Sequence, residues 1–380
     1  MIRIHQGYVS DADGISTLST EIEIDGEKKD VRISVESEYG KFLSPERADY
    51  ALIGMLAYAM WNKHDIICEA PVTEELLYNI NEILIPTFVN SDKRNYPVKI
   101  QADIASPLDK LPFAKAKCGG VGTGMSCGVD SFYSVLKHLN TDYPSRNLTH
   151  LCIFNNGSIS SLYGDEEARE IVRQKLFERA EAVAKELNLP LIKLETNFRA
   201  EIPQRHLHTH TYMDCLAIYA LQKLWRVWYR GSGHSFTNFS LKKTFRSDPA
   251  AFEPLLLDCF STSKLKFYPS GSEGDRNDKI DFIVDNPLVQ KHLHVCVRRP
   301  YNCGICKKCK RTLLALDAAD KLENFRESFN IDAYLKHRKK FYAYLNKIIN
   351  KNPESEFFTK TYKALYERNK KFFDSLNEKK

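Results

Sequence analysis

The chain has 380 residues, 43% of them hydrophobic and 27% charged, with a formal net charge of +6. That length exceeds what one ordinary core serves, so two or three domains of a soluble globular protein are expected. No run approaches the roughly 20 apolar residues of a membrane helix, and Met1-Ile2-Arg3-Ile4-His5 lacks an apolar signal region, so a cytoplasmic protein without membrane contact is expected.

Residues 1–110 read as one α+β unit. The first hundred residues are acidic, with 10 Lys/Arg against 17 Asp/Glu. Glu21–Gly26 and Val31–Val35 alternate with period two around an Asp-Gly turn, which predicts a hairpin. Asp49–Trp61 reads as a buried helix and Glu74–Leu84 as a second one. Ser106-Pro107 and Leu111-Pro112 mark a boundary. From residue 113 to about 320 strands and helices alternate: strands at Leu148–Phe154, Leu191–Leu194 and Val227–Tyr229, helices at Ile171–Leu187 and Tyr212–Trp225. The fold class is therefore α/β, a parallel sheet with helices on both faces and ligands at the carboxyl ends of its strands. Residues 321–380 are basic, with 15 Lys/Arg against 8 Asp/Glu, and helical, with a break at Asn352-Pro353. A nucleic-acid contact there is one reading, but interleaved acids favour a solvated helical face.

The run Gly119–Ser126 invites comparison with phosphate loops. Gly119 and Gly124 have Walker A spacing, but Met125 stands where the lysine belongs. A dinucleotide fingerprint fails because Cys127 replaces its third glycine. Beyond it, Phe132, Val135, Leu136 and Leu139 fall on one helix face, so Ser126, Gly128, Asp130 and Ser131 gather at a helix N-terminus. The unpaired N–H groups and the dipole there favour an anion, and Asp130 can cap the helix or hold Mg²⁺.

Ten cysteines occur, four of them bunched as Cys296-x6-Cys303-x2-Cys306-x2-Cys309. Four thiolates at this spacing suit a closed, structural Zn²⁺ site, their charge offset by Arg298, Arg299, Lys307, Lys308, Lys310 and Arg311; an iron–sulfur cluster is the lesser reading. His292 and His294 flank Cys296. His206, His208 and His210 alternate, so on an extended segment three imidazoles would share a face.

Ser126-Cys127-Gly128-Val129-Asp130-Ser131 resembles the Ser-Gly-Gly-x-Asp-Ser signature of the PP-loop ATP pyrophosphatases, with Cys127 in place of the first glycine. With the cysteine cluster following in this order, the chain resembles the 7-cyano-7-deazaguanine synthase family over about residues 113–320. Ile202-Pro203-Gln204-Arg205-His206 looks like that family's Val-Pro-Gly-Arg-Asn segment, with Gln204 and His206 as departures. Arg276–Ile280 resembles its lysine-bearing segment, and the turn at Gly231 lies in the family's order. The resemblance implies an ATP- and Mg²⁺-dependent C–N ligase, with zinc at the four cysteines. ATP would lie against Ser126–Ser131 and Gly231, and Ser126, Asp130, Ser131, Arg205 and Lys279 would be catalytic. The implied substrate is a deazapurine carboxylate, 7-carboxy-7-deazaguanine, adenylated and converted to an amide or nitrile. Some relatives linked to antiviral defence attach the activated deazaguanine to a protein amine, which would make an acceptor protein the partner. A tRNA-modifying enzyme and a non-catalytic nucleotide-binding scaffold are the rival readings. Acceptor and oligomeric state stay open.

Overall fold

The computed structural model describes residues 1–114, 116–157, 165–355 and 358–378. The chain begins with β1 (Ile2–Ile4), β2 (Tyr8–Ala12), β3 (Ile15–Ile24) and β4 (Glu27–Glu36). β3 and β4 form the expected hairpin. Its two turn residues, Asp25 (φ +51°) and Gly26 (φ +90°), adopt the left-handed backbone that lets a two-residue loop follow the strand twist. Helix α1 (Asp49–Asn62), β5 (Ile66–Cys68), β6 (Val72–Thr73) and α2 (Glu74–Tyr78) follow. The helix expected to end at Leu84 instead continues through a π-helical turn, Asn79–Leu84, into α3 (Ile85–Ser91). Pro86 does not stop it, because a proline in the first turn of a new helical segment has no intrahelical N–H bond to lose. The short strands β7 (Ile100–Gln101) and β8 (Ile104–Ala105) close this region.

Strands and helices then alternate, with two helices in succession between β11 and β12: β9 (Gly120–Gly124), α4 (Val129–Leu139), β10 (His150–Asn155), α5 (Glu166–Glu186), β11 (Leu191–Thr196), α6 (Phe198–Glu201), α7 (His206–Ala220), β12 (Trp225–Gly231), α8 (Glu253–Cys259) and β13 (Lys266–Ser270). Helices α9 (Arg276–Ile283), α10 (Pro287–His292), α11 (Lys307–Ala318), α12 (Ile331–Lys351), α13 (Thr359–Arg368) and α14 (Lys370–Asn377) finish the chain.

The main sheet runs β13-β12-β9-β10-β11-β4-β3-β1-β5-β7, with β2 beside β3. From β13 to β11 every pairing is parallel. The chain leaves β9 for β10 and β11 on one side, then returns to place β12 and β13 on the other. The order therefore reverses at β9, and it is outside the carboxyl ends of the strands at such a reversal that open α/β sheets bind ligands. Strand residues alternate between two apolar layers. Leu151, Ile153, Val227 and Tyr229 pack with α4 and α5, while Cys152, Trp225 and Trp228 pack with α1 and α7. Helices thus cover both faces of the parallel part, as burial of both sides requires.

The N-terminal region joins this sheet directly. β4 pairs antiparallel with β11, Ser34 opposite Glu195, and one apolar core runs from Ile4 and Ile33 through α1 to α7 and Phe267. Asp49, buried at the start of α1, accepts hydrogen bonds from the Thr73 N–H (2.7 Å), the Thr73 hydroxyl (2.6 Å) and the Gln222 amide (3.0 Å), which ties the two regions together.

The glycine-rich run is largely strand. A Cβ on Gly122 would sit 2.4 Å from the Trp225 ring and 2.6 Å from the Trp228 ring, so the two indoles fill the volume its side chain would need. Gly122→Ala is expected to overpack this layer and cost about 1–3 kcal/mol, read as a lower urea midpoint; an unchanged midpoint would refute the packing argument.

Candidate functional site

The carboxyl end of β9 leads into Met125-Ser126-Cys127-Gly128 and then α4. Cys127 has φ +57°, the left-handed conformation that a glycine adopts without strain. Its side chain is 1% exposed and packs among Met125, Val129 and Val295, and burial pushes its thiol up to about 12. The thiol is therefore a core group that leaves the outer surface of the loop clear. Val129 is likewise buried and offers the loop only its backbone. Gly128 precedes α4 without any side-chain cap, so the first N–H groups of α4 keep their capacity for an anion. Ser126 donates to the Ser131 hydroxyl (3.3 Å), which donates to the Gly128 carbonyl (3.0 Å). A Cβ at Gly231, the last residue of β12, would lie 2.9 Å from the Asp130 carbonyl oxygen, so only glycine lets β12 approach α4 this closely.

Asp130 is the electrostatic centre. Lys279 Nζ lies 3.1 Å from Oδ1 and Arg276 Nη1 lies 3.1 Å from Oδ2. Burial works to raise its carboxyl, but Arg276 and Lys279 outweigh it and hold the group down to about 2. Lys279 is 2% exposed and also donates to the Ser232 carbonyl, whereas the Asp130 side chain is 29% exposed, so solvent reaches the carboxylate. Both cations come from the first turns of α9, whose start is fixed by a capping box between Asp275 and Asp278. Helix α9 is held in turn by α13: the Thr361 hydroxyl donates to Asn277 Oδ1 (2.8 Å), and Lys360 pairs with Asp278 and Asp275. Asp317 on α11 receives Tyr334, Arg338 and Tyr342 from α12, and the Arg368 guanidinium binds its carbonyl. Lys360, Arg338 and Arg368 of the basic tail thus hold its helices to α9 and α11.

Two cations were missed as site residues in the sequence. Lys308 and Arg311 lie three apart on α11, so they share a face. Lys308 still reaches solvent, but crowding by surrounding protein, then Arg276 and Arg311, lower its ammonium, and Arg311 also acts on Asp130. The i, i+3 spacing was the available signal, hidden because both residues read as counter-charges for the cysteines.

The histidines correct one expectation. Residues 206–210 form the first turn and a half of α7 rather than an extended segment. His206 and His210 therefore share a face, ring centroids 5.7 Å apart, while His208 turns to Trp61 at 6.2 Å. His206 takes the Arg199 guanidinium at 2.8 Å, and burial with that cation pushes it down to about 3, so it is neutral. His210 bridges Asp248 (2.9 Å) and Arg230 (2.7 Å), and Arg230 reaches Asp214 (3.2 Å) and buried Glu253. Arg205 is exposed at the start of α7 and is not among the groups that meet Asp130; Arg199, one short helix earlier, is the buried arginine of this segment.

The four cysteine Sγ atoms of 296, 303, 306 and 309 lie within 4.8 Å of one another, with 4.0 Å between those of Cys303 and Cys309. Tetrahedral Zn–S bonds of about 2.3 Å need sulfurs about 3.8 Å apart, so the set fits zinc with slight contraction. Cys306 caps α11 through the Cys309 N–H, and although burial opposes it, this bond and that from Val297 hold its thiol down to about 7. The His294 N–H donates to the Cys127 carbonyl (2.8 Å), linking the knuckle to the loop. His292 pairs with Glu186 at the surface instead.

Two measurements check this arrangement. A depressed carboxyl contributes stability above its unfolded value near 4 and loses it as pH falls through about 2. Asp130→Asn should therefore cost about 2 kcal/mol near neutrality, with the gap to wild type closing below about pH 4; a gap independent of pH would refute the ion-pair account. Metal analysis should find zinc, and Cys309→Ser should lower both zinc content and melting temperature. Comparison with family models, with curated proteins and with solved structures returned no match.

Proposed function

We propose that this protein activates a carboxylate with ATP and passes the acyl group to nitrogen, the acid being of the 7-carboxy-7-deazaguanine type. The observation that carries this reading is Asp130, set at the uncapped start of α4 at the sheet's switch point and faced by Lys279 and Arg276. A Mg²⁺ ion held by Asp130 would add charge neutralisation at the phosphates.

The chain's own groups do the remaining work. The α4 N–H groups and the Ser126 and Ser131 hydroxyls bind phosphate oxygens and align the α-phosphorus for attack. A carboxylate oxygen attacks that phosphorus, the bond to the bridging oxygen breaks, and pyrophosphate leaves with the acyl-adenylate formed. Lys279 and Arg276 turn from Asp130 to the departing pyrophosphate and stabilise the charge that develops on it, with Lys308 and Arg311 beside them. An amine then attacks the acyl carbon, AMP departs with the bonding pair, and the amine's proton passes to solvent. In a second activation the amide oxygen attacks the α-phosphorus of another ATP and displaces pyrophosphate; the C–O bond then breaks, AMP leaves with the former amide oxygen, and both amide protons pass to solvent to give the nitrile. The zinc knuckle supplies no step; it fixes α11 and, through His294, the loop.

Incubation with ATP, Mg²⁺ and 7-carboxy-7-deazaguanine, with and without ammonia, tests the reading by mass spectrometry. AMP together with a mass change in the deazaguanine is expected. Turnover only with tRNA would redirect the assignment to nucleic-acid modification, and no ATP consumption would leave a binding scaffold. Asp130→Ala should abolish turnover with zinc retained, and Lys279→Ala should lower kcat by about 10²–10³.

A further inference from the structure

One surface is not used by the proposed chemistry. Trp61 at the end of α1 meets Phe245, in the loop after β12, edge to face at 6.1 Å, and His208 packs on its other side. Guanidiniums lie over these rings. Arg94 is 5.0 Å from the Phe245 centroid, and Arg246 is 5.2 Å from Phe245 and 6.0 Å from Trp61. These distances are those of cation–π contacts. Arg94 is gripped by both oxygens of Asp92, yet its side chain stays 60% exposed, so the guanidinium is held in place and still reaches solvent. Lys242 and Lys243, three and two residues before Phe245, are exposed, and so is Arg205; burial first, then the charges of Arg205 and Arg246, lower the His208 imidazole. The acids that approach are engaged, Asp92 with Arg94 and Asp248 with His210.

The backbone adds an independent sign. Arg246 has φ +45°, a left-handed conformation that costs a non-glycine residue about 1–2 kcal/mol. Such strain persists only where surrounding contacts over-determine it, and it gathers at ligand clamps. The Arg246 guanidinium at this position lies over both rings.

We propose that this surface docks single-stranded nucleic acid. Bases would stack on the planes of Arg246, Arg94 and the rings beneath them, and phosphates would meet Lys242, Lys243 and Arg205. An acidic peptide needs only point charges and makes no use of arginines layered on aromatic rings. A duplex hides the base faces that such layers recognise. The proposal does not depend on the adenylation reading, because none of these residues touches Asp130. The chain does link the surface to the site: two residues beyond Arg246, Asp248 enters the His210–Arg230 network, and Arg230 directly precedes Gly231 on β12.

Fluorescence anisotropy with a labelled single-stranded oligouridylate of about 15 nucleotides tests it, since that length covers the usual single-strand site. Binding should weaken as salt rises, as counterion release requires. Arg246→Ala, an exposed substitution, should weaken binding about tenfold, and Trp61→Ala about as much, with folding checked by circular dichroism. Lys336→Ala with Lys340→Ala, on the exposed side of α12, should leave binding unchanged. A duplex of equal length should bind less tightly, and polyglutamate should compete poorly. Loss of binding through the α12 pair with Arg246→Ala silent would overturn the proposal. Displacement by polyglutamate as effective as by RNA would assign the surface to an acidic protein instead.

Discussion

One carboxylate balanced against two buried cations governs the arrangement of this molecule. Lys279 is almost wholly enclosed, and a charge in that position is tolerable only because Asp130 and the Ser232 carbonyl meet it. Four segments must arrive together for that to happen: the loop after β9, the end of β12, the start of α9 and the face of α11. Gly231 permits the closest of these approaches, and the α9 capping box sets the direction of the cations. The C-terminal helices complete the assembly from outside, since Thr361 and Lys360 hold the first turn of α9. An ion pair of this kind is also one that an anion could redirect, because it would offer both cations a new partner.

Much of this was legible in the residues. The Asp-Gly hairpin, the apolar helix at Asp49 and the alternation after residue 113 follow from period and turn chemistry, and the structure contains them. The four cysteines converge as their spacing implied. Three readings failed for physical reasons. The histidine segment looked extended because alternate polarity suggests a strand, but burial of Thr209, Tyr212 and Met213 rewards helical spacing. The second N-terminal helix was expected to end at Leu84, yet a π turn carries it on into α3, where Pro86 sits in the first turn. The strand β9 was hidden because glycines carry no strand signal; its reason for being a strand lies in Trp225 and Trp228, a hundred residues away. Nothing local distinguishes Arg199 from Arg205 either. Their different fates depend on where α6 and α7 place them.

The cysteine in the loop illustrates how a departure from a pattern can be absorbed. A left-handed backbone there usually asks for glycine, and the sequence offers a thiol. The structure spends a modest conformational cost and returns part of it by burying that thiol beside Met125 and Val295. The outward surface of the loop is then the same as a glycine would leave, so the substitution changes the core behind the site more than the site itself.

The pairing of β4 with β11 has a further consequence. Without the hairpin, β11 would be a terminal strand with unpaired N–H and C=O groups, beside an α7 stripped of its cover by α1. Exposed edges of that kind recruit other chains. The first hundred residues therefore serve as a permanent edge cap: they decide that this sheet ends in a small, acid-rich lobe rather than in a sticky border, and any shorter chain built on the same strand order would have to protect that border by other means.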